Sequence, residues 1–146
     1  MSEGLFPSIG PPLTQEDYQA LAAFRHRLRM FLRFSEEAAA REGLSAQQHQ
    51  TLLAIHGYPE GQGSVTIGAL AERLQLRHHS VVGLVNRLEV DGLLIRQPSA
   101  EDRRRVVVIL SQRGLELLHR LSSSHRQELR RHAPALRELL RQIEQE

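Results

Sequence analysis

The chain has 146 residues, 40% of them hydrophobic and 25% charged, and it contains no cysteine. That length suits one domain with a core, or a small domain carrying oligomerisation helices. No apolar run approaches the roughly 18 to 20 residues of a membrane-spanning helix, and the absence of cysteine excludes disulfides and thiol redox sensing. The opening MSEGLFPSIGPP has neither a basic start nor a continuous apolar stretch, so no secretory signal is predicted and a cytoplasmic location is expected.

Charge is informative by its placement. The nineteen basic residues are all arginine and face seventeen acids, so the formal net charge is only +2. Between Arg77 and Arg113 stand Arg77, Arg87, Arg96, Arg103, Arg104, Arg105 and Arg113 against Glu89, Asp91, Glu101 and Asp102. This quarter of the chain therefore carries a local positive excess, as a phosphate-binding face requires.

Residues 1 to 13 hold Pro7, Pro11, Pro12, Gly4 and Gly10, which sustain neither a helix nor a central strand, and read as an extended arm. Thr14 is placed as an N-cap, with Glu16 and Asp17 in the first turn where the helix dipole favours anions. The helix it opens carries Tyr18, Leu21, Phe24, Leu28, Phe31 and Leu32 on one face and runs to Glu42, where Gly43 stops it. At about 40 Å it is longer than a small domain needs, and part of its face is expected to meet another chain. Ser45 with Gln48 forms a capping box for a second helix that ends before Gly57. A loop, EGQGS, then leads to a brief strand at 65–67.

Residues 67 to 110 have the order helix, turn, helix, strand, turn, strand. An apolar helical period runs through Ile67, Leu70, Ala71 and Leu74, breaks, and restarts at Val81, Leu84, Val85 and Leu88. The spacing predicts helices over 67–75 and 78–91, the second closed by Gly92. Strands are expected over 93–97, with Pro98 confining the first to a sheet edge, and over 105–110, where Val106, Val107, Val108 and Ile109 favour extended chain. Alternation along that strand would send Arg103 and Arg105 to one face and Arg104 to the other. Ser111 caps the next helix, whose seam of Leu115, Leu118, Ser122, His125 and Leu129 should break near Pro134 and resume at Leu136, Leu139, Leu140 and Ile143. These last helices find no cover in the monomer and are expected to pack with the first helix across a two-fold axis. The chain thus divides into an arm and dimerisation helix (1–43), a DNA-binding unit (44–112) and C-terminal dimerisation helices (113–146). Its fold class is mainly α with a small β wing.

A helix held by its predecessor and flanked by a hairpin presents its first residues to a DNA major groove, while the hairpin tip reaches an adjacent groove or the backbone. The residues offered are Arg77, His78, His79, Ser80, Gly83 and Arg87, with Asp102, Arg103, Arg104 and Arg105 at the tip. Arg77 falls at the N-cap, where Ser, Thr, Asp or Asn would contribute about 1 kcal/mol and where a cation opposes the dipole. A DNA phosphate at that terminus would relieve the conflict. Nothing in the sequence calls for a cofactor: there is no phosphate loop and no HExxH, and an enzyme is not expected. His125 and His132, like His49 and His56, lie two turns apart, about 10 Å along a helix and too far to share one ion, so no metal site is expected.

These residues resemble the MarR (multiple antibiotic resistance regulator) winged-helix transcription factors. The resemblance rests on a long first helix, IGALAERLQL, a recognition segment ending LVNRLEVDGLLIR, DRR at Asp102 to Arg104, and LSQRG at 110–114. It implies a homodimer with interleaved terminal helices and two recognition helices in successive major grooves of a pseudo-palindrome, and such a dimer is expected to repress or tune genes near its own by occupying the promoter. It also implies that Arg104 enters the minor groove, braced by Asp102. A cleft for a small aromatic or anionic effector is implied as well, and Phe24, Arg27, Leu28, Phe31, His49, Leu52, Leu53 and His56 could line it. Departures are Val82 in place of a frequent hydroxyl residue, Arg77 at the usual serine cap, and Asn86 for a common aspartate. A winged helix that binds only protein, or a metal-responsive regulator, are the competing readings.

Overall fold

A computed structural model describes residues 10–145; most of the expected N-terminal arm, residues 1–9, lies outside them. Each helix begins where local chemistry allows. Thr14 and Asp17 exchange side-chain and backbone hydrogen bonds in a capping box that opens α1 (Gln15–Arg41), and Ser45 and Gln48 do the same for α2 (Ala46–His56). Gly43, at φ +80°, lets the chain turn between them. Leu13 and Tyr18 both lie exposed beside the first of these caps.

β1 (Ser64–Thr66) leads directly into α3 (Ile67–Leu74), because the Thr66 hydroxyl caps that helix by accepting from the Ala69 N–H. The strand therefore ends one residue before the expected Ile67. α4 (His78–Val90) follows, and Gly92 at φ +75° turns the chain into β2 (Leu94–Pro98). Leu93, expected in that strand, is held in the turn: its N–H donates to Leu88 and its carbonyl accepts from Ser111. β3 (Val106–Leu110) returns antiparallel to β2, with Ile95 opposite Ile109 and Arg96 opposite Val108. The expected ribbon is in fact three-stranded. Its order is β1-β3-β2, so Val65 pairs with Val108 and the Val-rich strand is central, while Pro98 sits on an edge where its missing N–H costs no ladder bond.

Ser111 caps α5 (Gln112–Glu144), a single helix through Pro134 instead of the expected pair. Pro134 is exposed, so water can solvate the carbonyl that loses its donor, and the contacts α5 makes with α1 keep the axis continuous. That packing also corrects the expectation that α5 has no cover within the monomer. Its buried seam is rotated from the expected one, to Gly114, Leu117, Leu118, Leu121, His125 and His132, and Leu129 is 43% exposed. The start of α5 lies tight against the α4–β2 turn. A side chain at Gly114 would collide with the Leu93 carbonyl, which only glycine avoids.

Leu52, Ile55, Leu70, Val81, Val85, Leu88 and Val108 are fully buried in a core where α2, α3, α4 and the sheet meet. Each such side chain stabilises the fold by about 1.5–3 kcal/mol. Ala38, Ala39, Leu117, Leu118 and Leu121 extend the same core into α1 and α5. No described helix is long and apolar enough to cross a membrane.

Candidate nucleic-acid interface

Val81, Val85 and Leu88 anchor α4 on the core, which fixes the opposite face outward. Gln75 adopts the left-handed conformation at φ 55° and ends α3, so the chain redirects into α4 within three residues. Arg77 occupies the N-cap with extended backbone and no side-chain capping bond, whereas α1, α2, α3 and α5 are all capped by Thr or Ser. Arg77, His78, His79, Ser80 and Gly83 are all exposed. A Cβ at Gly83 would meet no other group within 4 Å, so nothing among the described residues covers the backbone there. The first turn of α4 thus offers free amides, a guanidinium, two imidazoles and a hydroxyl to solvent.

The hairpin tip supplies the second cluster. Asp102 accepts from the Arg104 N–H at 3.0 Å and lies 3.5 Å from the Arg104 guanidinium, whose side chain is 94% exposed. Asp102 therefore meets Arg104 in two ways, at its backbone N–H and at its guanidinium, the bracing that the family resemblance implies. The expected alternation of Arg103, Arg104 and Arg105 fails, because all three precede β3 and the Arg105 N–H closes a turn on Asp102. The arginine cluster is also less uniform than its count. Arg96 pairs with Glu89 at 2.7 Å, Arg87 lies 3.7 Å from Asp91, and Arg113 donates to the Asp91 carbonyl at the end of α4. Arg77, Arg103 and Arg105 form no ion pair among the described residues. The unpaired charge is thus at the helix start and the hairpin tip.

Residues 42–105, which span α2 through the hairpin tip, match the sequence model of the MarR family. Over these residues the chain is similar to the MarR family. A protein of Thauera aromatica named as a transcriptional regulatory protein for the hcr operon is 28% identical over 100 residues, 68% of this chain and 58% of that protein. BadR, a transcriptional activatory protein of Rhodopseudomonas palustris, is 32% identical over 77 residues, 53% of this chain and 43% of its own. The chain thus aligns with about half the length of these curated relatives. A point mutant of MepR from S. aureus, solved bound to an oligodeoxyribonucleotide, superposes with a TM-score of 0.65 at 20% identity, covering 91% of this chain and 100% of that one. That likeness is one of fold.

The residues expected to line an effector cleft do not converge. Leu52 is fully buried in the core, Leu53 is 48% exposed, and Leu28 and His56 are exposed. His56 lines a separate open trough of about 710 Å³ on the outer face of the sheet, with Tyr58, Gln97, Arg105 and Ile109. Phe24 is half-buried. Arg27 turns toward α5 and donates to His132 Nδ1 at 3.3 Å, which leaves Nε2–H of that buried ring to donate to Glu128 at 3.0 Å. Phe31 and His49 do come together, through residues the sequence reading did not place there. His125 Nδ1 donates to the Leu121 carbonyl, so its Nε2 is free to accept from the Ser35 hydroxyl at 2.7 Å. Phe31 and Phe34 meet this imidazole edge-on at 5.8 and 5.4 Å, and the His49 ring lies 4.7 Å away.

His49 is the exception within that cluster. It is 3% exposed, and neither ring nitrogen has a hydrogen-bond partner. Burial, with the neighbouring His125 adding to it, pushes its pKa down to about 4. His49 and His125, on different helices, are thus adjacent. No group of three or more potential metal ligands gathers among the described residues.

Proposed function

We propose that this chain is a homodimeric, sequence-specific DNA-binding transcriptional regulator acting in the cytoplasm. The observation that carries this reading is the exposed, uncapped start of α4 beside a hairpin tip whose arginine is braced by Asp102. The amides and guanidinium at Arg77 suit a phosphate, His79 and Ser80 suit base edges, and Arg104 suits an adjacent minor groove. Arg87, flanking α4, and Arg103 and Arg105, flanking the tip, would contribute to the backbone.

Dimerisation is supported by Leu21, Leu28 and Leu32 of α1 and by Leu129, Leu140 and Ile143 of α5, which remain exposed. Residues 1–43 and 113–146 then serve assembly, and 44–112 serve recognition. Occupying the promoter, the dimer would repress or tune genes near its own, although BadR is named an activator. Relief by a small aromatic or anionic ligand would act where α1, α2 and α5 meet. The shared names of its relatives favour a regulator over an enzyme.

Gel-shift titration of genomic fragments, including the one upstream of its own gene, tests the reading. Saturable, salt-steep binding is expected, and Arg104→Ala should lower the salt slope by about one unit. A chain that binds none of the fragments at low salt is instead a protein-binding winged helix. An unchanged affinity and slope removes Arg104 from the interface.

A further inference from the structure

Neither the α4 face nor the hairpin tip accounts for Arg96. It leaves the core-facing side of β2 opposite the fully buried Val108, and its guanidinium forks across to α4. Nη1 donates to Glu89 Oε1 at 2.7 Å, and Nη2 donates to Asn86 Oδ1 at 2.6 Å. Asn86 and Glu89 are three residues apart and share one face of the helix. The Arg96 and Glu89 side chains are only 30% and 40% exposed, so the contact is less screened than a pair at the open surface.

Two donors on one rigid plane fix orientation as well as distance, which a single ammonium contact would not. β2 is an edge strand, held by hydrogen bonds to β3 alone, and the hairpin tip lies at its outer end. The arrangement also occupies the Glu89 carboxylate, which would otherwise stand unpaired beside an approaching phosphate. We propose that Arg96 is a positioning residue. By clamping β2 to Asn86 and Glu89, it fixes the angle between wing and recognition helix, and with it the offset between the two grooves they address. The groove offset rests on the DNA-binding reading above, whereas the clamp itself does not.

The absence of cysteine makes the test clean. Nitroxide labels at Val90→Cys, 84% exposed at the end of α4, and Ala100→Cys, exposed at the tip, report the distance between helix and wing. The doubly labelled chain is diluted with unlabelled chain so that only pairs within one chain are read. A narrow distribution is expected with Arg96 in place. Arg96→Gln should broaden it, and Arg96→Lys, which keeps the charge but loses the fork, should broaden it less. Equal widths for Arg96 and Arg96→Gln overturn the clamp whether or not DNA binds.

On a fragment that the unaltered chain binds, Arg96→Gln should weaken affinity by about tenfold. Arg104→Ala should then cost less in the Arg96→Gln background than alone, because a wing that is no longer aimed has less to lose. Strict additivity of the two substitutions overturns the positioning role, since a merely structural Arg96 would leave the Arg104 contribution intact. If the unaltered chain binds no fragment, the DNA reading and the groove offset fail together, and the label widths still decide the clamp.

Discussion

The start of α4 and the junction of α1, α2 and α5 both leave polar groups without protein partners among the described residues, and they do so in opposite ways. At the start of α4 the unpartnered groups are exposed: the amides of His78 and His79 and the side chains of Arg77, His78, His79 and Ser80. At the junction of α1, α2 and α5 the unpartnered groups are the two nitrogens of a buried imidazole, His49. Water satisfies the first set at little cost until a polyanion replaces it. No group among the described residues satisfies the second, and each such group costs about 1–3 kcal/mol. The same omission is therefore inexpensive on a binding face and costly in a core.

Acid gives the largest expected break in this contrast. The folded pKa of His49, about 4, lies below the ordinary 6.5, so the unfolded chain takes up the proton first as pH falls. Stability from the neutral ring is complete above about pH 6.5 and is lost down to pH 4, by roughly 3 kcal/mol. Urea denaturation across that window measures it. His49→Phe should flatten this part of the profile and add about 1–2 kcal/mol at neutral pH; an unchanged acid dependence would show that His49 is hydrated.

Arg77→Ser should stabilise the chain by about 1 kcal/mol, by supplying the cap that α4 lacks. The same change should weaken DNA binding, and a variant both more stable and tighter binding would remove Arg77 from the interface. Ser80→Ala sharpens the contrast most finely. Its stability should stay within about 0.5 kcal/mol of the parent, while the preferred DNA sequence shifts more than the salt slope. Selection from a randomised duplex pool measures the shift.

What could be read in advance follows the range of the interactions. Thr14, the Ser45–Gln48 box, Ser111 and the exposed cap at Arg77 depend on groups within about four residues, so the sequence displays them directly. Asp102 bracing Arg104 is equally local. Ser35 meets His125 across 90 residues and Arg27 meets His132 across 105, and no periodicity reports such a meeting. A brief strand is expected at 65–67, but its place in the sheet is not, since Ser64 to Thr66 is too short to report which strand it joins and is defined by pairing with β3. Arg96 counted as one more cation because its partners depend on how β2 crosses α4. The continuity of α5 through Pro134 depended on which way the proline faced.

The tight contact at Gly114 has a geometric consequence. α5 is 33 residues long, Gln112–Glu144, with this contact in its first turn, so about 45 Å of helix lies beyond it at the helical rise. A tilt of about 5° at the Leu93 contact would therefore carry the far end of the helix through about 4 Å, the scale of one side chain. The joint acts as the short arm of a gear, where a small error in seating becomes a large one at the other end.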